Sequence, residues 1–343
     1  ISQITRIKYV IESDIDDISW NLHAIQEVTD EGFGRQIKEA LQWEIQNDIE
    51  HIYMLLTMLY DTRSIQLVKE NIDSGTTEGI TYAVELLDVF LSEQLKQRVI
   101  PVLDDISYAE RLDKLSFFYP RIRLDSKLVL KFLVNRDFTQ SNRWTKACVL
   151  FQIGIQRIED FKLDLIAQIF NPDPLIREVS AWALYQINPM EYENNVKRLD
   201  EATKRGLDAL IIHSKKMTRF EQVLFFQKIN IFEGVSGLVL SDLADISEEV
   251  RVQEGKSFQI DEGSNNIFYV VVTGTMDYFH GGSKHGQFTG GQFIGEMLRS
   301  PGFLNTNVLI AQTECVVLKF NKDQFYEILA DNVKLADRVL EYI

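Results

Sequence analysis

The residues best suited to chemistry lie in one stretch, Gly290 to Ala311 (GGQFIGEMLRSPGFLNTNVLIA). A strand-like run meets Gly295 and Glu296, a short helix-compatible segment EMLR follows, Pro301 and Gly302 break it, and NVLIA resumes as strand. This order suits anion binding. The first turn of a helix leaves backbone N–H groups unpaired and carries the positive end of the helix dipole, and together these hold phosphate.

Other reactive residue types lack the spacing that their chemistry requires. Asp14, Asp16 and Asp17 stand without the glycine and distal glutamate of a calcium loop, so a solvated helix face is expected. Glu44, Glu50 and His51 do not form an HExxH motif, and His23, His51 and His213 stand alone. The segment His280-Gly-Gly-Ser-Lys-His285 is expected to be a solvated hairpin tip rather than a metal site. Cys148 and Cys315, the two cysteines, lie far apart, which suits buried free thiols in a reducing cytoplasm. Trp20, Trp43, Trp144 and Trp182 suit packing between helices. With no nucleophile, base and orienter set, no metal constellation and no P-loop, the expectation is a protein that is not an enzyme.

The chain has 343 residues, enough for two or three domains. Its net charge of −15 argues against a nucleic-acid partner, because phosphate backbones are held by basic surfaces. The longest apolar runs, IYMLLTMLY and IFYVVV, fall far short of the roughly 20 residues that span a bilayer, so no direct membrane insertion of this chain is expected. A cytoplasmic location follows as an expectation. The first residue is Ile1 rather than methionine, which suits a piece of something longer.

What positions the Gly290–Ala311 stretch is a helical part followed by a strand-rich part. From Ile1 to about Lys216, apolar residues recur at helical spacing. In ALQWEIQNDIEHIYMLLTMLY, Leu41, Ile45, Ile49, Ile52, Leu55, Leu56 and Leu59 form one face. Breaks are expected at Asp73-Ser74-Gly75, Pro101, Asn171 to Pro174 and Asn188-Pro189. RWTKACVLFQI and REVSAWALYQI echo each other at an offset of 34 residues (143 to 177, 150 to 184). Such an offset suits a solenoid of helix pairs. DPLIREVSAWALYQI resembles the second helix of a HEAT repeat, which implies a scaffold or binding surface over residues 1–215.

Near residue 215 a basic patch, Lys215, Lys216 and Arg219, precedes a change of period. Val250 to Val252, Lys256 to Ile260, Ile267 to Thr273, Thr275 to Phe279 and Val308 to Ala311 read as short strands with glycines between them, which predicts an antiparallel barrel or jelly roll. KINIFEGVSGLVLSDLADI, EGKSFQIDEGSNNIFYVVVTGTMDYF, GGQFIGEM, Val316 to Phe320, DQFYEILADN and KLADRVLEYI, taken in order, resemble the cyclic nucleotide-binding domain from Thr218 to Ile343. The fold expectation is therefore an α + β multidomain chain: an N-terminal HEAT-like α-helical solenoid over 1–215, and a C-terminal antiparallel β jelly-roll barrel with flanking helices over 216–343.

The resemblance implies roles residue by residue. Glu296 would accept a hydrogen bond from the ribose 2′-hydroxyl of cAMP or cGMP, and Gly295, Met297 and Leu298 would bring backbone N–H groups to the cyclic phosphate. The arginine that the family places nine residues after the glutamate is Asn305 in this sequence, followed by Thr306, and Leu298 and Arg299 stand where the family tends to have small and apolar residues. A phosphate without its guanidinium lacks a charge-assisted partner worth about 1.5 to 3 kcal/mol. Two functions stay open. In one, the barrel has lost its ligand and serves with the helices as a regulatory or interaction module. In the other it senses cAMP or cGMP, its closing helices move, and the helical part passes the change to a protein partner. No cofactor is assigned beyond that nucleotide. No DNA-reading helix follows the barrel up to Ile343. YAVELLDVFLSEQLKQRVIPVL together with the barrel looks like the soluble C-terminal portion of nucleotide-transporter-like proteins related to ATP/ADP translocases, which implies an attached transmembrane domain and a cytoplasmic tail.

Overall fold

The computed structural model describes residues 2–120, 123–259, 266–295, 297 and 307–342. It divides into two compact units, Ile1–Asp164 and Leu165–Ile343. The change of period near residue 215 falls inside the second.

The first unit is helical: α1 (Gln3–Glu27), α2 (Gly34–Leu59), α3 (Thr62–Asp73), α4 (Thr77–Phe90), α5 (Glu93–Leu103), α6 (Tyr108–Leu115), α7 (Ser126–Asn135) and α8 (Arg143–Gln156). Starts are set by side-chain caps: Ser2, Asp61, Thr76, Ser107, Asp125 and Asn142 each accept a backbone N–H of the first turn. The long pair α1 and α2 forms the spine, burying Ile11, Ile15, Ile18 and Leu22 against Ile37, Leu41, Ile45 and Ile52. α1 also meets α5, α6 and α7, and α2 meets α8. Among the described residues α1 thus meets helices beyond its chain neighbour, and a solenoid, in which each pair touches only its neighbours, is not shown there. The turn between α1 and α2 is fastened from α8: Gln152 Oε1 accepts from Phe33 N at 2.6 Å and Gln152 Nε2 donates to Glu31 O at 3.0 Å. Gly32, at φ +59°, lies under that amide, where a Cβ would come within 2.6 Å of Oε1.

The break expected at Pro101 is not found at that residue: Pro101 lies inside α5, in its last turn. The carbonyls of Pro101 and Asp104, at the end of α5, are instead taken up by Arg111, through Nε at 2.9 Å and Nη2 at 2.8 Å. The solvated acidic face expected at Asp14, Asp16 and Asp17 is corrected as well. Asp16 is exposed, but the Asp14 and Asp17 side chains are only 15% and 20% exposed and pair with His51 and Arg136.

The second unit opens with helices α9 (Lys162–Ile169, which begins just before it), α10 (Pro174–Ile187), α11 (Pro189–Val196), α12 (Glu201–Ile211), α13 (Arg219–Phe226) and α14 (Gly237–Ile246), with a 3-10 turn at Asn230–Phe232. Among the described residues eight strands follow: β1 (Glu248–Val252), β2 (Ser257–Gln259), β3 (Ile267–Thr273), β4 (Met276–His280), β5 (Ser283–Phe288), β6 (Phe293–Ile294), β7 (Asn307–Ala311) and β8 (Cys315–Asn321). Helices α15 (Lys322–Asp331) and α16 (Val333–Tyr342) close the unit. The strands form two four-stranded antiparallel sheets, β1-β8-β3-β6 and β2-β7-β4-β5, rather than one closed barrel. One core of Val252, Tyr269, Val271, Met276, Ile294, Leu309, Ala311, Cys315 and Val317 joins residues of both sheets.

β3 is buried on both faces, because successive side chains of a strand point opposite ways. Tyr269 and Val271 enter that core, while Phe268 stacks on Phe320 (5.0 Å between ring centres, 6° between planes) and meets Phe325 of α15 edge-on at 5.0 Å. Among the described residues no helix is long and apolar enough to cross a membrane.

Candidate functional site

β6 holds the start of the stretch singled out in the sequence. Thr289 to Gln292 make the turn into it: Gln292 N donates to Thr289 O at 3.1 Å, and Thr289 N donates to Gln292 Oε1 at 2.7 Å. Gly291, at φ +86°, takes a conformation that L side chains rarely adopt, and its N donates to Val271 O at 2.8 Å. β6 then pairs with β3, Phe293 opposite Val270 and Ile294 opposite Tyr269. Ile294 is fully buried in the core.

At Gly295 the chain leaves the sheet with φ +90°. A Cβ there would sit 3.4 Å from Ile267 O, in ordinary contact, so backbone conformation rather than space is what favours glycine. Met297 is buried. Of the six candidate residues, Gly295 and Met297 are thus placed at the end of β6. Glu296, Leu298, Asn305 and Thr306, and the EMLR segment, lie outside the described residues.

Phe293 connects this corner to the flanking helices. Its ring lies 6.2 Å from Phe232 in the 3-10 turn, 6.3 Å from Phe268 and 5.6 Å from Tyr342 of α16. Phe232 in turn meets Phe226 of α13 at 5.7 Å, and Phe226 meets Phe320 at 6.0 Å. A chain of aromatic contacts therefore runs from β6 through α13, β8 and β3 to α15 and α16. Sequence reasoning missed it, although the phenylalanines flanking the strand and helix motifs were its signal.

Two clefts adjoin these elements. One, of about 560 Å³, is lined by Met217, Glu221, Leu224, Phe225, Val272 and Gly290 among others, beside the turn into β6. The other, of about 430 Å³, is lined by Arg177, Glu178, Lys216, Arg219, Gln222 and Glu249 among others. At its wall the basic patch expected at Lys215, Lys216 and Arg219 is split. The two lysines are exposed, but Arg219 pairs with the buried Glu178 and donates Nε to Asp245 Oδ1 at 2.9 Å. Glu178 Oε2 also accepts from Arg219 N at 2.8 Å, at the positive end of α13. Burial pushes the Glu178 carboxyl above the usual range, and Arg219 opposes that. Glu249 Oε2 accepts from Met217 N at 2.6 Å. Together the two carboxylates tie the segment before α13 to α10 and β1.

The hairpin tip expected over His280–His285 is confined to Gly281 (φ +57°) and Gly282 (φ +83°), while Ser283 to His285 already belong to β5. Among the described residues no group of three or more His, Cys, Asp or Glu is placed to hold a metal. Cys148 and Cys315 are free and buried.

No protein-family model and no curated protein matches the chain. Several solved structures resemble part of it. The sensor domain of the transcriptional regulator DNR from Pseudomonas aeruginosa is 18% identical, with a TM-score of 0.32, over 36% of this chain and 87% of that one. A cyclic nucleotide-binding-like protein from Brucella abortus is 22% identical, with a TM-score of 0.27, over 32% of this chain and 98% of that one. The regulatory subunit of a cAMP-independent protein kinase A from Trypanosoma brucei is 21% identical, with a TM-score of 0.31, over 42% of this chain and 53% of that one.

Proposed function

We propose that residues 216–343, within the Leu165–Ile343 unit, form a cyclic nucleotide-binding-like regulatory module, without enzymatic activity, whose phosphate site has lost its arginine. The observation that carries this reading is the corner at Gly295. A short strand paired to β3 ends in a left-handed glycine directly before Glu296, and Phe293 on that strand touches the 3-10 turn, β3 and α16. An occupant of this corner would press on β6, and the aromatic contacts would carry the displacement to the helices on either side. Glu296 is the ribose anchor in this reading, and Gly295, Met297 and Leu298 supply the N–H groups toward a phosphate. Asn305 and Thr306 offer an amide and a hydroxyl where a guanidinium would give a bidentate, charge-assisted pair.

The expected result is weak binding. Calorimetric titration of the protein with cAMP and with cGMP should give no saturation at micromolar concentrations. A Kd at or below about 1 μM, equivalent to about −8.2 kcal/mol, would overturn the loss of the phosphate partner and favour a working nucleotide sensor.

A further inference from the structure

The helical unit contains a partly buried polar seam that this functional reading does not use. α1 carries Asp14, Asp17 and Asn21, and α2 carries Glu44, Asp48 and His51, each set at spacings of three and four residues and so on one helix face. The two helices pack on each other along their length. His51 Nδ1 lies 2.8 Å from Asp14 Oδ2. Arg136, just past α7, donates Nη2 to Asp17 Oδ1 at 3.0 Å and Nη1 to Asn21 Oδ1 at 2.9 Å, with its guanidinium 4.0 Å from the centre of the Trp20 ring.

Glu44 is 6% exposed. Its Oε1 accepts from Asn142 N at 2.8 Å and Ser141 Oγ at 3.3 Å, at the start of α8. The Thr145 side chain also faces the Glu44 carboxyl, and Nδ2 of the fully buried Asn21 has no hydrogen-bond partner among the described residues. Lys146 of α8 is turned to other groups: its Nζ donates to Arg136 O at 3.0 Å and lies over the Phe138 ring. Asp16 is exposed at the edge of the seam. Four carboxyls, Asp14, Asp17, Glu44 and Asp48, therefore share the seam with one guanidinium and one imidazole. Fully ionised, they would repel one another in surroundings that screen charge poorly.

We propose that the α1–α2 seam is a proton-linked clamp, closed by carboxyl protons near neutral pH and loosened when those protons leave in mild alkali. Burial, reinforced by Asp14, Asp17 and Glu44 and opposed by Arg136, pushes the Asp48 carboxyl up to about 8. Burial first, with Asp16 and Asp14 adding and Arg136 opposing, raises Asp17 to about 6. Asp14 and Glu44 are raised by burial as well. Protons on these groups are held more tightly in the folded chain than in the unfolded one. The resulting stability is complete below the ordinary carboxylate range near pH 4 and is lost as pH rises through 6 to 8. The clamp concerns only the Ile1–Asp164 unit, so it stands or falls independently of ligand binding at Gly295.

The test is thermal unfolding of the full chain followed by tryptophan fluorescence, to which Trp20, Trp43 and Trp144 contribute from this unit. The wild-type midpoint should fall by several degrees between pH 6 and pH 9. Asp48→Asn should flatten that dependence and melt higher than wild type at pH 9. Asp48→Asn with the wild-type dependence unchanged overturns the clamp. A measurement on the wild type covers the case in which the variant does not fold: in protein labelled at the aspartate carboxyl carbons, one resonance should titrate with a midpoint above 7. If every aspartate titrates below 5, the clamp does not exist.

Discussion

Arg219→Ala is expected to cost the Leu165–Ile343 unit about 3 kcal/mol, within the 3 to 5 kcal/mol typical of removing one partner from a buried ion pair. Glu178 is 7% exposed at its side chain and is the partner left behind. It would keep the Arg219 backbone N–H but lose the guanidinium, while Asp245 loses its Nε donor. The lower end of the range applies because the Arg219 side chain is 31% exposed, so water reaches part of the pair. The loss should depend on pH. Without Arg219 the Glu178 carboxyl rises further above its unfolded value, so the variant is least impaired at low pH, where Glu178 is neutral in both states, and most impaired above neutrality. Urea denaturation at pH 5 and pH 8, read from Trp182 on the same helix as Glu178, measures both. A loss under 1 kcal/mol at pH 8 would mean that the pair does not hold α10 to α13.

Phe268→Ala should be at least as costly, about 3 to 5 kcal/mol. Phe268 is 2% exposed and touches Phe320, Phe325 and Phe293, so truncation leaves a cavity between sheet and helices that three rigid rings fill poorly. The change should also free β6 and α15, which meet through this ring, and this separates it from an ordinary core defect. Hydrogen exchange should rise in β6 and α15 while β2 and β5 in the other sheet stay protected. Equal loss of protection in both sheets would refute the aromatic chain as a path between the Gly295 corner and the helices.

The sequence was legible where pattern and neighbourhood agree. β3 was read as a strand from its apolar and β-branched residues and β8 only through the family resemblance, while Asn142, Asp173 and Thr218 sit at helix starts, where their residue types are favoured. β5 was missed because SKHGQF is largely exposed and carries no apolar alternation. β6 is two residues long and gains its identity from β3, not from its own pattern.

The acidic residues of α1 show a different limit. A spacing of three and four residues says that Asp14, Asp17 and Asn21 share a face, but not that Arg136, 119 positions beyond Asp17, will cover it. Arg219 looks like part of a basic surface until α10 brings Glu178 beneath it. Near the candidate site, Gly295 was legible because a strand-to-turn transition needs a residue tolerant of positive φ, whereas the ring contacts of Phe293 depend on helices more than forty residues away in either direction.

Parallel calorimetric titration of wild type and Asn305→Arg with cAMP is the most direct test that this corner is a nucleotide site missing its phosphate partner. Restoring a guanidinium where the sequence resemblance places it should tighten binding about tenfold to a hundredfold, the equivalent of one charge-assisted hydrogen bond of about 1.5 to 3 kcal/mol. Equal affinities, or equal absence of heat at millimolar cAMP, would contradict the assignment of Asn305 and with it the identification of the site.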